Sequence, residues 1–94
     1  METVIINAKI SESKKAEFFQ TIESLKSLVK NYCNEFETII SKDNDLSIRI
    51  TFSNHDEMEN NFYNAEFNIL KGSVISLCKN VSIRVKDVSI SQIS

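Results

Sequence analysis

The apolar residues of this chain follow two spacings: every second residue, as in strands, and every third or fourth residue, as in helices. The order of these two spacings along the chain constrains the fold most. Apolar residues occupy every second position in residues 3–10, 46–52 and 81–85, which predicts three strands with one buried face each. The stretch 36–42 holds β-branched residues at its centre and predicts a further strand. Asp43-Asn44-Asp45 predicts the turn between that strand and the next, because Asn and Asp bond locally to the backbone.

Two other stretches have helical spacing. Phe18, Ile22, Leu25, Val29 and Tyr32 follow one another at steps of three and four, which places them on one helical stripe. A serine at position 11 or 13 can cap this helix, so we predict a first helix that ends at about Tyr32.

The second helical stretch begins with Asn54 and Glu57, which have the spacing of a capping box. Its apolar residues form two faces that do not merge into one stripe, so we predict a bend near residues 64–66. The single glycine of the chain, Gly72, is expected to let the second piece pack closely on the sheet.

The resulting order, β-α-β-β-α-β, predicts a ferredoxin-like α+β fold with the first and third strands at the centre of an antiparallel sheet. One sheet face is expected under the helices: Val4, Ile6, Ala8, Ile48, Ile50, Phe52, Val81, Ile83 and Val85. The opposite face is expected to meet water or a partner: Ile5, Asn7, Lys9, Ser47, Arg49, Thr51, Ser82, Arg84 and Lys86.

The size and charge of the chain limit which classes of function it can have. We predict that the 94 residues form one domain, residues 1–94, which is small enough to gain from dimerisation. The net charge of −2 lacks the basic footprint of nucleic-acid binding, and no apolar run is long enough to cross a membrane. The chain enters its first strand with no signal-peptide pattern, so we expect a cytoplasmic protein with reduced cysteines. Two distant cysteines predict no metal site.

The last strand changes its phase after Val85. Val88 and Ile90 fall on the face that held Ser82 and Arg84, which a bulge would explain. A strand that leaves its own sheet for a neighbouring molecule would explain it equally. We therefore expect residues 88–93 to cross to a partner in a homodimer joined through its sheets.

The stretch from the third strand into the second helical segment resembles the antibiotic biosynthesis monooxygenase superfamily. The family often has Tyr-Glu-x-Trp there, followed by His-x-x-Ser-x-His-Phe that begins nine residues after the Trp. Here Arg49 and Ile50 stand at the Tyr-Glu places and Phe52 at the Trp place. The His, Ser, His and Phe places hold, in order, Asn61, Asn64, Glu66 and Phe67. The spacing fits over roughly the last half of the chain, although both histidines are replaced.

The resemblance implies a dimeric α/β barrel, and it implies roles for particular residues. Several family members use an Asn of the first strand toward substrate, and Asn7 stands about there. The haem-degrading branch has an iron-binding His four residues after the Phe that Phe67 matches. That place holds Lys71, a poor iron ligand, so haem degradation is not expected. The resemblance therefore favours a monooxygenase that needs no cofactor.

The candidate catalytic residues are Asn7, Tyr63 and Glu66. The amide of Asn7 can stabilise a substrate oxyanion, or it can simply bond at a dimer interface. Tyr63 is a candidate for proton transfer, or a partly buried core residue. Glu66 is a candidate base if the helix bend buries it, or a solvated carboxylate.

The candidate ligand-binding residues fall into a charged and an aromatic group. Arg49 and Arg84 can hold a carboxylate, phosphate or enolate, or they can pair with Glu35 or Glu37 on a solvated face. Phe52, Phe62 and Phe67 are core residues that would line an aromatic pocket if the core is incompletely filled. The lone histidine, His55, is expected at the surface among acidic residues.

Two functions remain open from the sequence. The first is a monooxygenase that oxidises a small quinol, phenolic or other aromatic compound, with Asn7 polarising the substrate. The second is a non-catalytic dimer of the same fold that binds a small ligand or has a structural role, which the loss of the family's histidines and Trp favours.

Overall fold

The computed structural model describes residues 1–87 and contains a four-stranded antiparallel sheet and three α-helices. The strands are β1 (Glu2–Ile10), β2 (Glu35–Ile40), β3 (Asp45–Phe52) and β4 (Cys78–Asp87), in the spatial order β2-β3-β1-β4. The helices are α1 (Lys15–Val29), α2 (His55–Phe62) and α3 (Ala65–Leu77). This confirms the predicted ferredoxin-like α+β fold, including the central positions of the first and third strands.

Strand β1 is the centre of the sheet, and its alternation separates the two faces. Val4 lies opposite Ile50 and Val85, and Ile6 lies opposite Ile48 and Ile83. The side chains of Val4, Ile6, Ile48 and Ile50 have no exposed surface, because the helices cover the middle of this face completely. The residues between them in sequence point to the other face of the sheet, which none of the helices within residues 1–87 covers. We call this second surface the helix-free face.

Helix α1 buries the predicted stripe except at its end. Phe18, Ile22, Leu25 and Val29 are buried, as their spacing predicts. Helical structure extends to Tyr32 as predicted, but α1 ends at Val29 and the last turn, Lys30–Tyr32, is a 3₁₀ helix. The tighter turn changes the direction of the side chains, so Tyr32 is exposed and does not join the core.

The predicted bend of the second helical segment is confirmed as a break between α2 and α3. Asn54 caps α2 by accepting a hydrogen bond from the backbone N–H of Glu57, and Asn64 caps α3 in the same way from Phe67, each at 2.9 Å. The expected role of Gly72 is wrong. It is exposed in a groove between α1 and α3, and a Cβ there would meet no atom within 4 Å, so it does not bring the helix closer to the sheet.

Strand β4 differs from the prediction in burial. Ile83 and Val85 lie on the helix-facing side as predicted, but they remain 41% and 48% exposed. The reason is that β4 is an outer strand and the helix layer leaves its helix-facing side partly open. Asn80 has a φ of 54° and accompanies a register shift between Asn7 and Lys9, which is a β-bulge. The register is even from Ser82 to Asp87, and the predicted crossing of residues 88–93 lies outside the described residues.

Candidate functional site

The helix-free face brings together Asn7, Arg49 and Arg84. Asn7 is half-buried and lies opposite Ser47 on β3 and Ser82 on β4. Ile5, two residues earlier on β1, lies opposite Arg49 on one side and Arg84 on the other. Neighbouring strands are about 4.8 Å apart, so both guanidinium groups are carried by strands adjacent to the one that carries the Asn7 amide. The shared face that alternation predicts for these three residues is confirmed.

The charges on this face are partly paired. Arg49 Nη1 lies 3.7 Å from Glu37 Oε1, and Lys9 Nζ lies 3.4 Å from Asp45 Oδ1, with all four side chains largely exposed. Such exposed pairs contribute little stability, because water and salt screen them. Among the ion pairs formed within residues 1–87, none includes Arg84. A small depression of about 280 Å³ beside it is lined by Ile5, Arg84, Val85 and Lys86.

The three phenylalanines predicted to bind a ligand form a closed aromatic cluster on the opposite, helix-covered face. Ring centroids are 6.4 Å apart for Phe52 and Phe62, 5.8 Å for Phe52 and Phe67, and 5.5 Å for Phe62 and Phe67. All three side chains are 3% exposed or less. The rings fill the space between β3, α2 and α3, so they act as core residues and leave no aromatic-lined opening among themselves.

Tyr63 and Glu66 lie at the break between α2 and α3. Tyr63 is exposed, while Glu66 is half-buried in the first turn of α3, where the helix dipole favours a carboxylate. Both residues belong to the helix layer, whereas Asn7 points away from it. Within one chain, therefore, the sheet separates Tyr63 and Glu66 from Asn7.

Lys71 holds the two helices together at this break. Its Nζ donates a hydrogen bond to the carbonyl oxygen of Phe62, the last residue of α2, at 3.0 Å. The same ammonium lies 4.3 Å from the centroid of the Phe62 ring and 4.8 Å from that of Tyr63. Desolvation lowers the pKa of Lys71. The geometry does not fit an iron ligand, because the Lys71 ammonium is already bound to a carbonyl oxygen and faces two rings.

His55 lies at the surface, as predicted, but it is paired with Glu2, a partner that the sequence did not predict. Its Nδ1 lies 2.8 Å from Oε1 of Glu2, whose side chain is only 8% exposed, and its Nε2 lies 3.3 Å from Oε1 of Glu59. The hydrogen bond with Glu2 raises the pKa of His55. The first strand and the start of α2 are distant in sequence, so no local pattern indicated this contact.

Two grooves open on the helix layer. One of about 450 Å³ runs between α1 and the outer strand β2, where Phe19, Ile22, Phe36 and Ile40 supply apolar surface and Glu23 and Lys26 supply charge. The other, of about 370 Å³, lies between α1 and α3 and includes Gly72. Within residues 1–87, no cluster of three metal-ligating side chains is arranged to hold a metal ion. No helix in the same range is both long and apolar enough to cross a membrane.

Comparison with solved structures identifies the fold class. A protein of Deinococcus radiodurans, provisionally named an antibiotic biosynthesis monooxygenase, matches with a TM-score of 0.80 and 11% identity over 94% of this chain and 92% of its own. A Caulobacter crescentus protein with the same provisional name matches at 0.78 and 17% identity, over 93% and 88%. A Bacteroides thetaiotaomicron protein of unknown function, named a possible oxidoreductase, matches at 0.77 and 13% identity, over 90% and 94%.

The chain therefore has the ferredoxin-like fold of proteins named antibiotic biosynthesis monooxygenases. The predicted resemblance in fold to these proteins is confirmed, at sequence identities of 10–17%. At such identities the likeness shows the fold alone. No family model and no curated protein sequence matches the chain.

Proposed function

We propose that this protein is a monooxygenase-like homodimer that oxidises a small phenol or quinol bound on the helix-free face, near Asn7. One observation carries the proposal: Ile5 lies between Arg49 and Arg84, next to the half-buried amide of Asn7. Two cations and an amide on one face suit a ligand whose oxygen carries negative charge. The matched structures that are named monooxygenases or a possible oxidoreductase support oxidation as the chemistry.

The chemistry assigned to these residues is stabilisation of an anion. A phenol loses its proton more readily when its oxygen accepts hydrogen bonds from guanidinium and amide N–H groups. The resulting phenolate is the electron-rich form that reacts with dioxygen. A phenol with a free para C–H consumes one O₂ and gives one quinone and one water, so that one oxygen atom enters the product and the other leaves as water.

In this proposal, Tyr63 and Glu66 do not transfer protons for a ligand that is bound near Asn7. The sheet lies between these residues and Asn7, so they are assigned only to a ligand that binds on the helix-covered side. For a ligand on the helix-free face, Asn7, Arg49 and Arg84 are the residues that bind and orient it.

The experiment is oxygen uptake with a panel of phenols, quinols and anthrones. We expect uptake above buffer for the wild-type protein, and a loss of about 100- to 1,000-fold in the Asn7→Ala variant, as for removal of one oxyanion donor. Asn68→Ala is the matched control, because Asn68 is an exposed amide on α3, and it should keep wild-type uptake. Wild-type uptake equal to buffer across the panel would rule out the oxidation.

A non-catalytic dimer that binds a small ligand is the second candidate. The closed packing of Phe52, Phe62 and Phe67 favours it, because it leaves no aromatic-lined site beside Tyr63 and Glu66. This candidate predicts that phenols raise the melting temperature of the wild-type protein without oxygen uptake, and that Arg49→Ala or Arg84→Ala removes the increase.

A further inference from the structure

We infer that Arg84 and Lys86 bind a carboxylate of the ligand, so that the compound bound near Asn7 is a small phenol with an acidic side chain. This inference deepens the proposed function and rests on it, because it uses the place that is proposed there for the phenol oxygen. It adds Lys86 to the binding residues and assigns Arg84 to the acidic end of the ligand.

The helix-free face is arranged in rows that run across the strands. The row of Ile5 on β1 includes Arg84 on β4. The row on one side of it holds Lys86, and the row on the other side holds Asn7. Side chains two residues apart on a strand point to the same face. Asn7, Arg84 and Lys86 therefore belong to three successive rows of one face.

The positive charge of this face is balanced on β3 but not on β4. Arg49 Nη1 on β3 lies 3.7 Å from Glu37 Oε1 on the neighbouring strand. Arg84 and Lys86 are exposed, and neither forms an ion pair with another side chain of residues 1–86. The acidic residues of β2 are three strand spacings from β4, about 14 Å, which is too far for direct pairing. An anionic group of a ligand therefore meets no competing carboxylate from β2 when it pairs with the cations of β4.

A depression beside these two cations suits an acidic group and one edge of an aromatic ring. Its volume is about 280 Å³, and Ile5 supplies apolar surface next to Arg84 and Lys86. A guanidinium group presents paired N–H donors that match the two oxygens of a carboxylate, and its flat side can stack on an aromatic ring. A neutral group in the same depression would leave both charges without a partner.

The spacing of the rows fits the two ends of one substituted ring. Asn7 and Arg84 lie in adjacent rows, which are about 6.6 Å apart along the strands. This distance is close to the length of a benzene ring that carries a hydroxyl group and an acidic side chain in the meta relation. With the phenol oxygen at Asn7, the carboxylate then lies at Arg84 and Lys86. The meta relation also leaves the carbon para to the hydroxyl group with its hydrogen, as the proposed oxidation requires.

Isothermal titration calorimetry with two ligands of the same shape tests the carboxylate site. The probes are 3-hydroxyphenylacetate, which is negatively charged at neutral pH, and 3-hydroxyphenylacetamide, which is neutral. We expect the wild-type protein to bind the acid about 10-fold more tightly than the amide at low salt, and the difference to shrink as salt is added. Equal affinities for the two probes, or no binding of either at millimolar concentration, would overturn the inference.

Variants that remove one charge test whether these two side chains hold the carboxylate. Arg84→Gln and Lys86→Gln should each weaken binding of the acid by about 3- to 10-fold and change binding of the amide by less than about 2-fold. Lys79→Gln is the matched control, because Lys79 is an exposed cation of the same strand that lies outside the depression. It changes the net charge equally and should keep the wild-type preference for the acid. An equal loss in all three variants would overturn the inference, because it would show a general effect of charge.

Oxygen uptake separates this inference from the proposed reaction. A preference for the acid that depends on Arg84 and Lys86, without oxygen uptake, would support the carboxylate site and overturn the oxidation. Oxygen uptake with the same kcat/KM for the acid and the amide would support the oxidation and overturn the inference.

Discussion

Strand register alone determines which residues lie next to Asn7. Alternation along β1 puts it on the face away from Val4 and Ile6, and pairing with β3 and β4 brings Arg49 and Arg84 beside the same strand. These placements depend only on local periodicity and on the order of the strands, and both were predictable from the sequence. The pair of His55 with Glu2 was not, because it joins residues that are 53 positions apart.

The His55 contact gives a prediction at the scale of one residue. Because the hydrogen bond with Glu2 raises the pKa of His55, the charged pair stabilises the fold fully below the unfolded-state pKa of histidine. This stabilisation is lost as the pH rises through the higher folded-state pKa. An NMR titration should therefore give a His55 pKa above the ordinary value of about 6.5. In Glu2→Gln the pKa should fall back toward that value.

Glu59→Gln is the matched control for this titration, because Glu59 is exposed and acts on His55 only through a weaker charge interaction. It should lower the pKa of His55 less than Glu2→Gln does. An unshifted pKa in the wild-type protein, or an equal effect of the two variants, would show that Glu2 does not hold the histidine.

At the scale of elements, the helix stripes and the alternating strands appear where the sequence predicted them, because each pattern reports burial against one neighbour. The structure differs from the prediction in three places, and each lies at an edge of the structure. Tyr32 follows the end of α1, Gly72 opens into a groove, and Ile83 and Val85 lie on an outer strand that the helices cover incompletely. Periodicity gives the direction of a side chain but not the extent of the layer above it.

The break between α2 and α3 depends on the cap at Asn64. Its side chain accepts a hydrogen bond from the backbone N–H of Phe67, a donor that α3 itself leaves unsatisfied. We expect Asn64→Ala to lower the free energy of unfolding by about 1 kcal/mol in chemical denaturation. Asn64→Ser keeps an accepting oxygen and should lose less than half as much. Equal losses in the two variants would mean that the cap contributes nothing specific.

At the scale of the whole molecule, the sheet divides the candidate residues into two groups. Asn7, Arg49 and Arg84 share the helix-free face, whereas Tyr63, Glu66 and the buried phenylalanines belong to the helix side. The sequence placed both groups near a common site only through the family resemblance, because spacing along a chain does not show on which side of a sheet a helix residue lies. The fold was therefore more predictable than the site.

The helix-free face has two kinds of surface, a half-buried centre and charged outer strands. Its centre carries the half-buried Asn7, while its outer strands carry opposite charges, acidic on β2 and basic on β4.

The most direct test of this account is an amide NMR titration of the ¹⁵N-labelled protein with a small phenol. We predict the largest shift changes at Ile5, Asn7, Arg49 and Arg84, all on the helix-free face. The signals of Tyr63, Glu66 and Lys71 should move little. Shift changes concentrated at Tyr63, Glu66 and Lys71, with Asn7 unmoved, would contradict the account and place the ligand on the helix side of the sheet.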